Sequence, residues 1–70
     1  MKTFELKPTQ EYIEMNKLLK LLGFVGTGGE ANMRITDGEA FVNGEVDTRK
    51  RRKLRKGDTV EFDGEVVEIH

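Results

Sequence analysis

Between Asp47 and Gly57 the chain reads "TRKRRKLRK", and seven of the eight residues from Arg49 to Lys56 are Arg or Lys. The formal net charge of the 70 residues is −1, so a block carrying +7 is set against −8 on the remainder. Collecting like charges on one stretch costs repulsion, which a bound polyanion relieves. Arg outnumbers Lys four to three in the block, and a guanidinium presents a planar fork of donors that matches phosphate oxygens two at a time. Phosphate recognition is therefore the chemistry open to these residue types. A basic run can also be nothing more than a solvated segment. Two features argue against that here: both ends adjoin strand-like stretches, and Leu54 interrupts the charge. On an extended backbone Leu54 would point to a core, with Arg49, Arg51, Lys53 and Arg55 projecting together on the other side over ~20 Å. Lys50, Arg52 and Lys56 add charge to the same segment.

Other chemistry is poorly provided for. The chain has no Cys, and its single His is the last residue, His70, which excludes disulfides, thiolate sites and an imidazole metal cluster. There is no nucleophile elbow, and the carboxylates are scattered. "GTGGE" at Gly26–Glu30 has glycines but lacks the Lys-Ser/Thr ending of a phosphate-cradling loop. The expectation is a protein with no catalytic residues, no cofactor, no metal and no small-molecule substrate. No stretch has signal-peptide character or the ~18 apolar residues that a membrane span requires. With no Cys to suggest an oxidising compartment, a cytoplasmic location is expected.

The length allows one domain, residues 1–70, whose small core leaves ~3–5 kcal/mol of stability. "FEL" at Phe4–Leu6 alternates as a short strand and ends at Pro8. Tyr12, Met15, Leu18, Leu19 and Leu22 recur at three- and four-residue spacing, which predicts a helix over Glu11–Leu22, capped by Thr9 or Gln10 and ended by Gly23. Thr27 followed by Glu30 is a capping box, and a second helix over Gly28–Thr36 follows, with Ala31 and Ile35 inward and Asn32 and Arg34 nearer solvent. Asn43–Gly44 suits a tight hairpin turn; "KGDTVEF" reads as turn and strand, and "DGEVVEI" as a second hairpin. The order predicts an α+β domain: two helices packed on a small, mainly antiparallel sheet. No exposed apolar stripe demands a second copy, so a monomer is expected.

Aromatic residues are few. Tyr12, Phe4, Phe24, Phe41 and Phe62 fall mostly where the core pattern claims them, so base stacking is disfavoured and recognition of structured or double-stranded RNA by shape is the expectation.

"MNKLLKLLGFVGTGGEANMRITDGEAFVNGE" at Met15–Glu45, together with "LRKGDTVEF" at Leu54–Phe62, resembles the alpha-L RNA-binding domain named for small-ribosomal-subunit protein S-four. The likeness is nearest to small bacterial members that consist of this domain alone. It lies in an ordered set: a leucine-rich helix ending in Gly, a Thr opening a helix with "EA" and Ile, then "DG", "VNG" and "GD" before an apolar strand. The resemblance implies an RNA surface on the two helices and the adjoining hairpin. On this chain that points to Thr27, Gly28, Gly29, Asn32 and Arg34, with Lys17 and Lys20 on the first helix. Exposed N–H groups at the start of the second helix would form an anion site. Glu14 and Gly28 stand where members often carry a cation, and the Arg49–Lys56 block would supply the missing charge. The expected partner is RNA, ribosomal or transfer RNA. The alternative is a protein-interaction adaptor that turns the basic face to an acidic protein partner.

Overall fold

Two turns organise the sheet. Asn43 and Gly44 have φ of 52° and 87°, and Asp63 and Gly64 have φ of 53° and 78°. Such left-handed pairs reverse the chain with a twist that matches antiparallel strands, which is why Asn-Gly and Asp-Gly occupy them. The first turn joins β3 (Ala40–Val42) to β4 (Glu45–Val46), and the second joins β6 (Thr59–Phe62) to β7 (Glu65–Ile69). A computed structural model describes all 70 residues. Besides these strands it contains β1 (Lys2–Phe4), β2 (Ile13–Glu14), β5 (Lys53–Leu54) and the helices α1 (Met15–Leu21) and α2 (Gly28–Thr36).

Five strands form one sheet in the order β1-β7-β6-β3-β4, and β2 pairs with β5 in a separate ribbon. Only β1 and β7 run parallel, so the molecule is the expected α+β arrangement of two helices and a mainly antiparallel sheet. Alternation along β6 and β7 turns Val60, Phe62, Val67 and Ile69 inward. They share the core with Met15, Leu18 and Leu19 of α1, Ala31 and Ile35 of α2, and Leu54 of β5. No helix is long and apolar enough to cross a membrane.

The second helix has the predicted bounds, because its start signal is local. Thr27 Oγ1 accepts the Glu30 N–H at 3.1 Å, while the Glu30 carboxylate accepts the Gly26 N–H at 3.1 Å, one residue earlier than a reciprocal capping box requires. Both helices end in a left-handed glycine, Gly23 (φ 78°) and Gly38 (φ 85°). The amides that follow, of Phe24 and Glu39, reach back to the carbonyls of Leu19 and Arg34.

Three expectations are corrected. The first strand is Lys2–Phe4 rather than Phe4–Leu6; Leu6 lies just beyond it, buried, with its N–H on the His70 carbonyl at 2.9 Å. The first helix begins at Met15 rather than Glu11, and neither Thr9 nor Gln10 caps it. Gln10 instead closes a turn, its side-chain oxygen accepting the Lys7 N–H at 3.2 Å. Ile13 and Glu14 are extended because they pair with Leu54 and Lys53, and the N–H groups of Met15 and Asn16 are taken by the carbonyls of Arg52 and Lys50 at 2.9 and 3.1 Å. The cap of α1 is thus the backbone of the basic block, a partner that helical periodicity cannot reveal. Third, the block is not one extended strand. Only Lys53–Leu54 is extended; the Arg52 N–H meets the Arg49 carbonyl at 3.2 Å and closes a turn over Lys50 and Arg51.

Candidate functional site

The basic loop is held at four points. Leu54 is fully buried and fixes its C-terminal half to the core. The carbonyls of Lys50 and Arg52 fix its N-terminal half to the first turn of α1. At one end Asp47 accepts the Arg49 N–H at 3.0 Å, the Arg49 guanidinium at 3.0 and 2.7 Å, and Arg52 Nε at 3.2 Å. At the other end Asp58 accepts the Arg55 N–H at 2.8 Å and the Asn43 amide at 3.1 Å. The Asp47 side chain is only 10% exposed. The Arg49 hydrogen bond holds its carboxyl at about 2, against an ordinary 3.8, in spite of that burial. Burial pulls Asp58 upward, but the Arg55 amide and the Asn43 side chain outweigh it and leave the carboxyl lowered.

These contacts divide the seven cations. Arg49 and Arg52 are spent on Asp47, whereas Lys50, Arg51, Lys53, Arg55 and Lys56 make no ion pair. Arg49, Arg51, Arg52, Lys53 and Arg55 surround one shallow depression that has no hydrophobic lining residue. The predicted convergence of charge therefore occurs, but on a turn plus a two-residue strand. Tyr12 belongs to this group and not to the helix core assigned to it from periodicity. Lys53 Nζ lies 5.0 Å and the Arg55 guanidinium carbon 5.5 Å from its ring centre.

The helix residues are disposed differently. Lys17 sits 3.8 Å from Glu14, the residue just before α1, while Lys20 is unpaired in the last turn, where the helix dipole favours a cation. Asn32 is half-buried, and its side-chain oxygen accepts the Asn16 amide at 3.0 Å, tying α2 to the start of α1. A Cβ added at Gly28 would meet nothing within 4 Å, and one at Gly29 only Thr27 Oγ1 at 3.9 Å. Packing does not require glycine at either position, and the approach to the α2 N-terminus is open. Arg34 is drawn away from the basic loop. It stacks 4.4 Å over the Phe62 ring and binds Glu39 at 2.9 Å and Asp63. Its pKa is raised by the Glu39 and then the Asp63 hydrogen bond. No group of His, Cys, Asp or Glu is arranged to hold a metal ion.

Residue-by-residue reading missed Asp47, Asp58 and Tyr12. Asp47 had a local signal: an Asp two residues before Arg49 commonly accepts that residue's backbone N–H. The partners of Tyr12 lie across the β2–β5 ribbon and had none.

Residues 5–70 match the family model of the S4 domain. The chain belongs to the S4 domain family. Among its relatives, the Escherichia coli putative RNA-binding protein YbcJ is 41% identical over 69 residues, which cover 99% of this chain and 97% of that protein. The Bacillus subtilis probable ribosome maturation protein RlbA is 41% identical over 54 residues, covering 77% of this chain and 76% of that one. The solution structure of Escherichia coli YbcJ, described as revealing an alpha-L motif involved in RNA-binding, superposes with a TM-score of 0.72 at 40% identity. It aligns with 99% of this chain and 86% of its own. In this S4 domain the alpha-L helix pair, α1 and α2, is joined by the Asn16–Asn32 bond, and the basic loop is docked at the start of α1.

Proposed function

We propose that this S4 domain is a non-catalytic RNA-binding module that recognises structured or double-stranded RNA through the basic loop beside α1 and α2. The observation that carries this reading is the division of charge. Five cations, Lys50, Arg51, Lys53, Arg55 and Lys56, have no carboxylate partner, although the chain has more acidic than basic residues. Their backbone is fixed by Leu54, Asp47, Asp58 and the α1 amides, so little ordering entropy opposes binding. Arg49 and Arg52 shape the loop, and the five free cations contact phosphates. Lys17 and Lys20 of α1 and the open Thr27–Gly29 end of α2, next to Asn32, extend the surface toward neighbouring phosphates. Arg34 has a structural part, joining α2 to the β6–β7 turn.

Ribosomal or transfer RNA is the proposed partner. The name of the Bacillus subtilis relative, a probable ribosome maturation protein, supports the ribosomal choice. Crosslinking in cells followed by sequencing of the bound RNA tests both parts. Reads concentrated on helical segments of ribosomal or transfer RNA are expected. A protein partner retained after ribonuclease, with no RNA crosslinked, would refute the proposal.

A further inference from the structure

We infer that Tyr12 is a base-stacking residue, which makes the preferred ligand an RNA helix interrupted by an unpaired nucleotide rather than an uninterrupted duplex. The inference rests on the RNA-binding reading above and adds a specificity determinant to it. The molecule holds three aromatic–cation groups, and only the one at Tyr12 has no carboxylate on its cations. Lys2, 5.2 Å from the centre of the Phe24 ring, pairs with Glu65 at 3.5 Å. Arg34 lies 4.4 Å over Phe62 and is locked there by Glu39 and Asp63. Lys53 and Arg55 lie farther from the Tyr12 ring, at 5.0 and 5.5 Å, and neither side chain has a carboxylate partner. No side-chain hydrogen bond or ion pair fixes either of them over the ring. Both can turn to a phosphate without breaking an ion pair, and in doing so they uncover the ring.

Tyr12 also borders open space. A surface groove that Tyr12 lines runs from Thr9 and Gln10 past Glu11 and the Lys17-paired Glu14 to Leu21, which is 67% exposed. An aromatic face with two cations over it that have no ion pair, and a groove beside it, offers what a single nucleotide needs: a surface for the base and charge for its phosphates. A paired base cannot use that surface, because its faces are covered by its neighbours in the helix. An unpaired base can be splayed out onto it.

Tyr12 is the only tyrosine and the chain has no tryptophan, so its intrinsic fluorescence reports on this ring alone. The test compares a blunt RNA duplex with the same duplex carrying an unpaired nucleotide bulge, using the whole chain and its Tyr12→Phe and Tyr12→Leu variants. The bulged RNA is expected to quench Tyr12 and to bind more tightly than the blunt one. Tyr12→Phe should keep that preference. Tyr12→Leu should lose about tenfold of it, within the range that base–aromatic stacking supplies, because it loses more affinity for the bulged RNA than for the blunt duplex. An equal loss for both RNAs in Tyr12→Leu would mean that the ring merely positions Lys53 and Arg55, and would overturn the stacking assignment. Binding of both RNAs without quenching or preference would overturn it too and leave the RNA reading intact; binding of neither by the parent chain would overturn both.

Discussion

Asp47 decides what two of the seven cations in the basic block are for. Its carboxylate takes the Arg49 backbone, the Arg49 guanidinium and Arg52 Nε from a nearly buried position. Because its folded pKa, about 2, lies below the ordinary 3.8, the stability it contributes is fully present above 3.8 and is lost as pH falls toward 2. Asp47→Asn should therefore cost about 1–3 kcal/mol at neutral pH, the usual range for losing charged hydrogen-bond partners. Its urea midpoint should also change less than the parent's across that acid window. Parallel pH profiles would show that Asp47 is not the group that titrates. At this scale the legible signals were those contained within a few residues. Thr27 and Glu30 mark the start of α2 because a cap acts over three positions, and Asn43–Gly44 marks a turn because its constraint is its own φ. Tyr12 was misread because a helical spacing from Tyr12 to Met15 exists in the sequence but not in the chain, which is extended at Ile13 and Glu14.

The β2–β5 ribbon and the turn that precedes β5 join the proposed RNA surface to the fold. Ile13 pairs with Leu54 and Glu14 with Lys53, and the next two amides, of Met15 and Asn16, bond the loop carbonyls. The start of α1 thus depends on residues more than thirty positions away, and for that reason its first turn was placed too early from periodicity alone. The inward direction of Leu54 was legible, since one apolar residue among seven cations has few other places to go. The turn over Lys50 and Arg51 was not, because it is imposed by Asp47 and by the α1 amides. Leu54→Ala should cost about 2–5 kcal/mol as a cavity substitution at a fully buried site. Under conditions where the variant remains folded, amide exchange should show Met15 and Asn16 losing protection before Ile69, whose N–H is held by the Asp58 carbonyl at 2.9 Å at the end of β7. Loss of protection at all three together would mean that the loop and the sheet open as one unit.

Across the whole molecule, charge is segregated rather than scarce. The block carries +7 and everything else −8, so the near-neutral total conceals a local concentration of positive charge that draws a polyanion to it. The fold class was legible because strand alternation, helix spacing and turn residues agreed with one another. The division of the cations into two structural and five free ones was not, because it depends on which carboxylates the fold brings near. The measurement that bears most directly on the proposal is RNA affinity as a function of salt, for the parent and for a variant with Lys50, Arg51, Lys53, Arg55 and Lys56 all replaced by Gln. The loop carbonyls, Leu54 and Asp47 are untouched, so the circular dichroism of the variant should match the parent's. The parent should give a log–log slope near −4, as ~5 phosphate contacts would produce, and the variant a slope smaller by roughly 3 to 4 with affinity lower by orders of magnitude. A matched chain with Lys2 and Lys7 replaced by Gln should bind almost as the parent does. A five-Gln variant that keeps the parent's slope and affinity, or a Lys2/Lys7 variant that loses as much, would contradict the assignment of the basic loop as the RNA surface.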